Sequence, residues 1–175
     1  MNPVITSFGK GSWYPKGIER LRNSCGGFDV TCQPFLNYPH GCPTHDQTPY
    51  AFKPYCIEAV KKYHDIVLWA DSSAWLMKHP KPIWDIIEKQ GYIIFDSGWK
   101  NDQWCSDRQL EAFGFNRDQA ADQKQVVGGL FGIDRNACFA RQIIGLHLIN
   151  NFNRIVSFNN FILLNYIICG YRFRF

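Results

Sequence analysis

The order of apolar segments predicts an α/β fold, a sheet with helices packed on it, and three observations carry that reading. Apolar or β-branched runs at residues 4–8, 66–70, 92–95 and 125–133 alternate with helical apolar spacing at 16–24, 51–63 and 82–90. The run Ile66-Val67-Leu68-Trp69-Ala70 is apolar without interruption, the mark of a strand covered on both faces. Across 175 residues, 46% hydrophobic and 16% aromatic content supplies a core, and 9 Pro with 14 Gly implies many connections. A disordered chain, a coiled coil and a plain helix bundle are thereby excluded.

Each element has its local reason. Residues 4–8 form a buried strand that ends in a loop containing Gly9, Gly11 and Ser12. Ile18 and Leu21 place an apolar stripe on a helix over 16–24, which Cys25, Gly26 and Gly27 stop. Residues 28–32 are expected as a second short strand, after which Pro34, Pro39, Pro43 and Pro49 impose a loop. The helix over 51–63 buries Ile57 and Val60 and exposes Glu58, Lys61 and Lys62. Ile83, Ile86 and Ile87 mark the helix over 82–90, closed by Gly91, and 92–95 is the next strand. Residues 96–104 read as a polar loop, 106–113 as a helix capped by Ser106, 125–133 as a strand broken by Gly128-Gly129, and 136–144 as a last helix. No internal repeat is present. In such sheets ligands bind outside the carboxyl ends of the strands, a rule that gathers residues 9–13, 71–73 and 96–104 on one edge.

The formal charge of +4 is unevenly placed. Residues 1–134 hold 14 Lys+Arg and 15 Asp+Glu, or 14 − 15 = −1, while residues 135–175 hold five Arg and no acid, or +5. The folded, motif-bearing part is near neutral, so the charge is no argument for nucleic acid. Seven cysteines, an odd number without a CxxC pair, point to buried reduced thiols rather than a disulfide scaffold or a zinc knuckle. No basic stretch leads into an apolar h-region at the N-terminus, and the apolar run around 155–169 is short and interrupted by asparagines. The expected setting is a soluble chain in the reducing cytoplasm.

Asp71-Ser72-Ser73 is the sharpest chemical feature. A carboxylate at the end of a buried strand is held rigidly where a ligand would sit, and Ser73, two residues on, shares its side. The plainer alternative is an Asp that starts a turn or caps the next helix. Lys53 could supply charge to a phosphate or simply be an exposed lysine. Gly128 and Gly129 suggest close approach of a ligand to the backbone, or a bulge. Tyr92, Trp99 and Trp104 could stack on a sugar or belong to the core. Asp96, Asp102 and Asp107 are candidate general bases, or solvated surface acids. No Walker loop, GxGxxG, GxSxG or HExxH occurs, which argues against common nucleotide hydrolases, serine hydrolases and zinc proteases.

Together, PVITSFGKGSWYPKGIERL, PYAFKPYCIEAV, IVLWADSSAWL, IWDIIEKQGYIIF, WCSDRQLEAFGF and VVGGLFGIDRN resemble glycosyltransferases of the GT-A, nucleotide-diphospho-sugar type, over about residues 3–143. The resemblance implies a Rossmann-like mixed sheet with helices on both faces, incomplete at the C-terminus. It implies that Thr6, Ser7, Phe8 and Gly9 meet the base and ribose, that Lys53 lies near the donor, and that Gly128-Gly129 lines the sugar pocket. Asp71 and Ser73 stand where the family's DxD motif binds Mn²⁺ or Mg²⁺ and the diphosphate, with Ser73 in place of the second acid.

The implied activity is transfer of a sugar from a nucleotide-diphosphate donor to an acceptor, with Asp107 or Asp102 as base if the reaction inverts. The alternatives are a non-catalytic nucleotide-sugar-binding remnant and a phosphatase-like hydrolase with Asp71 as nucleophile, which Ser73 disfavours. Residues 144–175 form a separate segment, rich in Ile, Asn and Phe, without acid, Lys, Pro or Trp. The expectation is a frameshift product or gene fragment, and the competing one an authentic extension that docks on the domain or a membrane surface. His147 falls there and receives no metal role.

Overall fold

The computed structural model describes residues 2–112, 114–137 and 168–169. In chain order the elements are β1 (Pro3–Thr6), α1 (Tyr14–Gly26), α2 (Phe52–Val60), β2 (Ile66–Ala70), β3 (Trp75–Leu76) and α3 (Lys81–Gln90). Then come β4 (Tyr92–Lys100), α4 (Asn101–Trp104), α5 (Asp107–Ala112), α6 (Arg117–Ala121), β5 (Lys124–Asp134) and β6 (Ile168–Cys169). Every residue of β2 is buried, as its unbroken apolar run requires. The main sheet has the order β1-β2-β5-β4, with β1 parallel to β2 and β5 antiparallel to both its neighbours. β3 pairs antiparallel with β6, Trp75 opposite Cys169.

Side chains alternate across this sheet into two cores, and helices cover both faces as predicted. Ile5, Ile66 and Leu68 pack with Leu21 and Cys25 of α1 and with Ile83, Trp84 and Ile87 of α3. Val4, Val67, Trp69, Phe131 and Ile133 pack with Cys56, Ile57 and Val60 of α2 on the other face. Pro in the first turn opens both α1 and α3, where its missing N–H has no intrahelical partner to lose. Gly91 closes α3 at φ 84°, its N–H donating to the Ile87 carbonyl at 2.7 Å.

Three sequence expectations need correction. Residues 28–32 form no strand. The chain turns at Gly27–Asp29, and residues 31–35 run beside β1 with isolated bridges at Ile5–Cys32 and Phe8–Phe35. The regular ladder is interrupted where the Thr6 hydroxyl donates to the Gln33 carbonyl, although the Gln33 and Phe35 N–H groups still reach the Ile5 and Ser7 carbonyls. Residues 96–104 are not a loop either, since β4 continues to Lys100 and α4 follows. Its polar side chains are satisfied across the ladder, Asp96 by Lys124 at 3.0 Å and Ser97 by Gln125 at 3.0 Å. Last, β5 is not broken at Gly128-Gly129 but bulged. Ile94 faces Phe131 and Asp96 faces Val126, so β5 takes 131 − 126 = 5 steps against 96 − 94 = 2 on β4.

Of the helix expected over 136–144, Asn136 and Ala137 close a turn on Asp134, and the rest lies outside the described residues, as does the boundary at 144. Among the described residues no helix is long and apolar enough to cross a membrane. Cys25, Cys32, Cys42 and Cys56 are free thiols. Cys25 and Cys32 share a hydrogen bond, which with burial pushes the Cys25 thiol up, while the same bond holds Cys32 below its ordinary value.

α1 rests directly on the turn that follows β2. A Cβ on Gly17 would lie 2.1 Å from the Ser72 carbonyl oxygen, a backbone atom with no freedom to withdraw. We therefore expect Gly17→Ala to cost about 1–3 kcal/mol in urea unfolding. Gly128→Ala, whose Cβ would meet nothing within 4 Å, should stay within about 0.5 kcal/mol. Equal losses for the two would disprove the close docking of α1.

Candidate functional site

Because β1 and β2 are parallel, the segments that leave their carboxyl ends open on one edge. A cleft of about 760 Å³ lies there, between the β1 loop, the first two turns of α1, the start of α2 and the Asp71–Ser73 turn. Phe8 stacks on Phe52 at 4.5 Å and meets Tyr38 at 5.0 Å, giving the cleft an aromatic wall. Trp13, Tyr14 and Tyr50 also line it, yet they are 77%, 62% and 61% exposed, a large apolar area left facing water. Tyr50 holds a left-handed backbone, φ 61°, and its ring meets His45 edge-on at 5.0 Å.

Lys53 is neither exposed nor a free charge. It sits in the first turn of α2, where the helix dipole disfavours a cation, and only 7% of it is accessible. Its ammonium pairs with Asp71 Oδ1 at 3.0 Å and donates to the Gly128 carbonyl at 2.7 Å. Trp69, two residues before Asp71 on the same strand face, donates Nε1–H to the same Oδ1 at 2.8 Å. The Asp71 N–H donates to the Gly129 carbonyl at 2.8 Å, and its own carbonyl accepts from Ala74 N–H at 2.9 Å. Oδ2 is left without a partner among the described residues.

The structure gathers some predicted site residues and separates others. Phe8, Lys53, Asp71 and Ser73 line the cleft. Thr6 and Ser7 are buried behind it, the Ser7 hydroxyl without a hydrogen-bond partner among the described residues. Gly9 allows the loop to pack on α1, since a Cβ there would come 2.4 Å from Ile18. Gly128 and Gly129 do not line the cleft. Their carbonyls hold Lys53 and Asp71 from behind. Asp102 and Asp107 are also absent from its walls. Arg117 takes Asp107 Oδ1 through Nε at 2.9 Å and also binds the Asp102 carbonyl, in a separate hollow of about 320 Å³ that Asp107 lines. Trp99 and Trp104 pack edge to face at 5.8 Å, away from the cleft, and His147 lies outside the described residues.

Sequence reasoning set residues 9–13 at the ligand edge without giving Lys10 or Trp13 a role, and it missed Tyr14, Lys16, Arg20, Tyr38 and Tyr50; all seven line the cleft. Their one legible signal is the density of Trp, Tyr, Lys and Arg between Lys10 and Arg20, directly after the first strand.

No family model and no curated protein matches the chain. Among solved structures it is similar to a glycosyltransferase involved in the glycosylation of the major capsid of PBCV-1, with a TM-score of 0.51 and 16% sequence identity. The match covers 83% of this chain and 66% of that one. The likeness is one of fold: a mixed sheet with helices on both faces.

The resemblance to GT-A glycosyltransferases implies a divalent cation at Asp71 and Ser73, and the residues present do not fit one. Asp71 Oδ1 already takes an ammonium and an indole N–H, and Ser73 offers a neutral hydroxyl where a second carboxylate would stand. The nearest side chains of opposite character are cations, Lys53 on Asp71 and Arg20, whose Nη2 donates to the Ser73 carbonyl at 3.0 Å.

The pair is asymmetric, its side chains being 9% and 34% exposed for Lys53 and Asp71. Removing the carboxylate strands a buried ammonium, whereas removing the lysine leaves a carboxylate that water can reach. In urea unfolding Asp71→Ala should cost about 3–5 kcal/mol and Lys53→Met about 1–2 kcal/mol. The reverse order would show that the carboxylate, not the ammonium, depends on its partner.

Proposed function

We propose that the chain takes a nucleotide-diphosphate sugar in this cleft and transfers the sugar to an acceptor hydroxyl. One observation carries the reading: a cleft walled by exposed aromatic rings and cations at the carboxyl edge of a glycosyltransferase fold. Trp13, Tyr14 and Tyr50 would stack on the base or the sugar, and the cations would receive the diphosphate. In the reaction the bond from the anomeric carbon to the diphosphate oxygen breaks, and the electron pair leaves on that oxygen. The acceptor oxygen bonds the same carbon and loses its proton.

Among the described residues lining the cleft, Asp71 is the sole carboxylate, and Lys53 holds it. An inverting reaction needs a base for the acceptor proton. A retaining one, in which the departing diphosphate oxygen can take that proton, needs none, and for an inverting one the cleft offers His45 beside the paired Asp71. The same observation favours a second reading, a cleft that binds a nucleotide sugar without turning it over.

Titration with UDP- and GDP-sugars, followed by a donor-hydrolysis assay, tests both. We expect binding together with slow release of nucleoside diphosphate, and a loss of affinity of about 5- to 100-fold for Trp13→Ala or Tyr50→Ala. Binding without any turnover selects the binding-only reading. No binding of any nucleotide sugar removes both.

A further inference from the structure

We infer that the cleft holds the diphosphate of its ligand through Lys10, Lys16 and Arg20, with no divalent cation between protein and phosphate. The inference rests on the nucleotide-sugar reading above and departs from the metal that the sequence resemblance implies. Its first support is local charge. Lys10, Lys16, Arg20 and Lys53 line the cleft against one acid, Asp71, so the lining carries 4 − 1 = +3 while residues 1–134 as a whole carry −1.

The second support is that this charge is not cancelled. Lys53 neutralises Asp71, and no carboxylate among the described residues pairs with the other three cations. Each lies over an aromatic ring instead. Lys10 Nζ is 4.6 Å from the Tyr38 centroid, Lys16 Nζ 5.4 Å from that of Trp13, and Arg20 Cζ 4.1 Å from that of Trp75. A ring face positions a cation and leaves its full charge available to an anion.

The third support is placement. Arg20 donates to the Ser73 carbonyl at 3.0 Å, so a guanidinium stands at the turn where a metal would otherwise be held. A dication there would face Arg20 and Lys53 at close range, and Asp71 has only one oxygen free of its protein partners. A phosphate meets the opposite situation. The planar guanidinium offers a fork of donors that fits its oxygens, and the lysines add mobile point charges. The first turn of α1, which bears Lys16, carries no acid and no side-chain cap, so the positive end of its helix dipole adds to the same field.

Calorimetric titration of the 175-residue chain with UDP and GDP, in excess EDTA and again in excess Mn²⁺, tests this. We expect dissociation constants equal within about twofold in the two buffers, and affinity that falls as salt rises. Uridine and guanosine, without the diphosphate, should bind at least about tenfold more weakly. Lys10→Gln, Lys16→Gln and Arg20→Gln should each weaken UDP or GDP binding about tenfold. All three residues are exposed, so melting temperatures unchanged for the two lysine variants, and lowered only slightly for Arg20→Gln, which gives up its Ser73 contact, will show that the fold is kept. Lys62→Gln, an exposed lysine outside the cleft, should change nothing. Binding that requires Mn²⁺, or survives all three substitutions, overturns the inference and leaves the donor reading standing. No nucleotide binding in either buffer removes both.

Discussion

The ion pair between Lys53 and Asp71 is the constraint on which the rest of the site depends. Three elements meet in it: α2 supplies the ammonium, the end of β2 the carboxylate, and the bulge of β5 two carbonyls. A lysine in the first turn of a helix works against the helix dipole, and burying it adds a desolvation cost. Those costs are tolerable only because carboxylate and carbonyl together satisfy the ammonium. The bulge at Gly128 has its use here, since it turns a strand carbonyl toward Lys53.

A second contact fixes the opposite wall of the cleft. Gly17 lets α1 press on the Ser72 carbonyl, and Arg20, nearly one turn later on the same helix, reaches the next carbonyl, Ser73. The turn after β2 is thus held from one side through Lys53 and from the other through α1. The cleft is the space left between two helices anchored on the same three residues, which gives its aromatic rims a rigid base.

What could be read from the sequence follows the range of the forces involved. β2 was legible because five consecutive apolar residues report burial directly, and the end of α3 because Gly91 adopts a backbone that other residues resist. Asp71 at a ligand-facing sheet edge followed from the same strand. Its partner did not, because nothing local to Lys53 signals a carboxylate 18 residues away. Residues 96–100 read as loop because Asp96, Ser97 and Gly98 are polar, turn-forming residue types, and their cross-strand partners Lys124 and Gln125 appear only once β5 is in place. Asp107 looked available for the same reason, before Arg117 came to its carboxylate, whereas at Asp102 Arg117 binds only the backbone carbonyl. Tyr38 and Tyr50 belong to the Pro-rich stretch, where no periodicity exists to assign a face.

The same distinction between local and summed quantities governs the charge. A net −1 over residues 1–134 argues against attraction for any polyanion, and for a long nucleic acid that average is the relevant figure. A small ligand inside a cleft samples a different sum. At physiological salt the screening length is about 8 Å, so a bound diphosphate feels the cleft-lining cations far more than acids on remote surfaces such as Glu58 or Asp85. With +3 in the lining and its one carboxylate already paired, the charge facing the cleft is positive although the surrounding chain is slightly acidic.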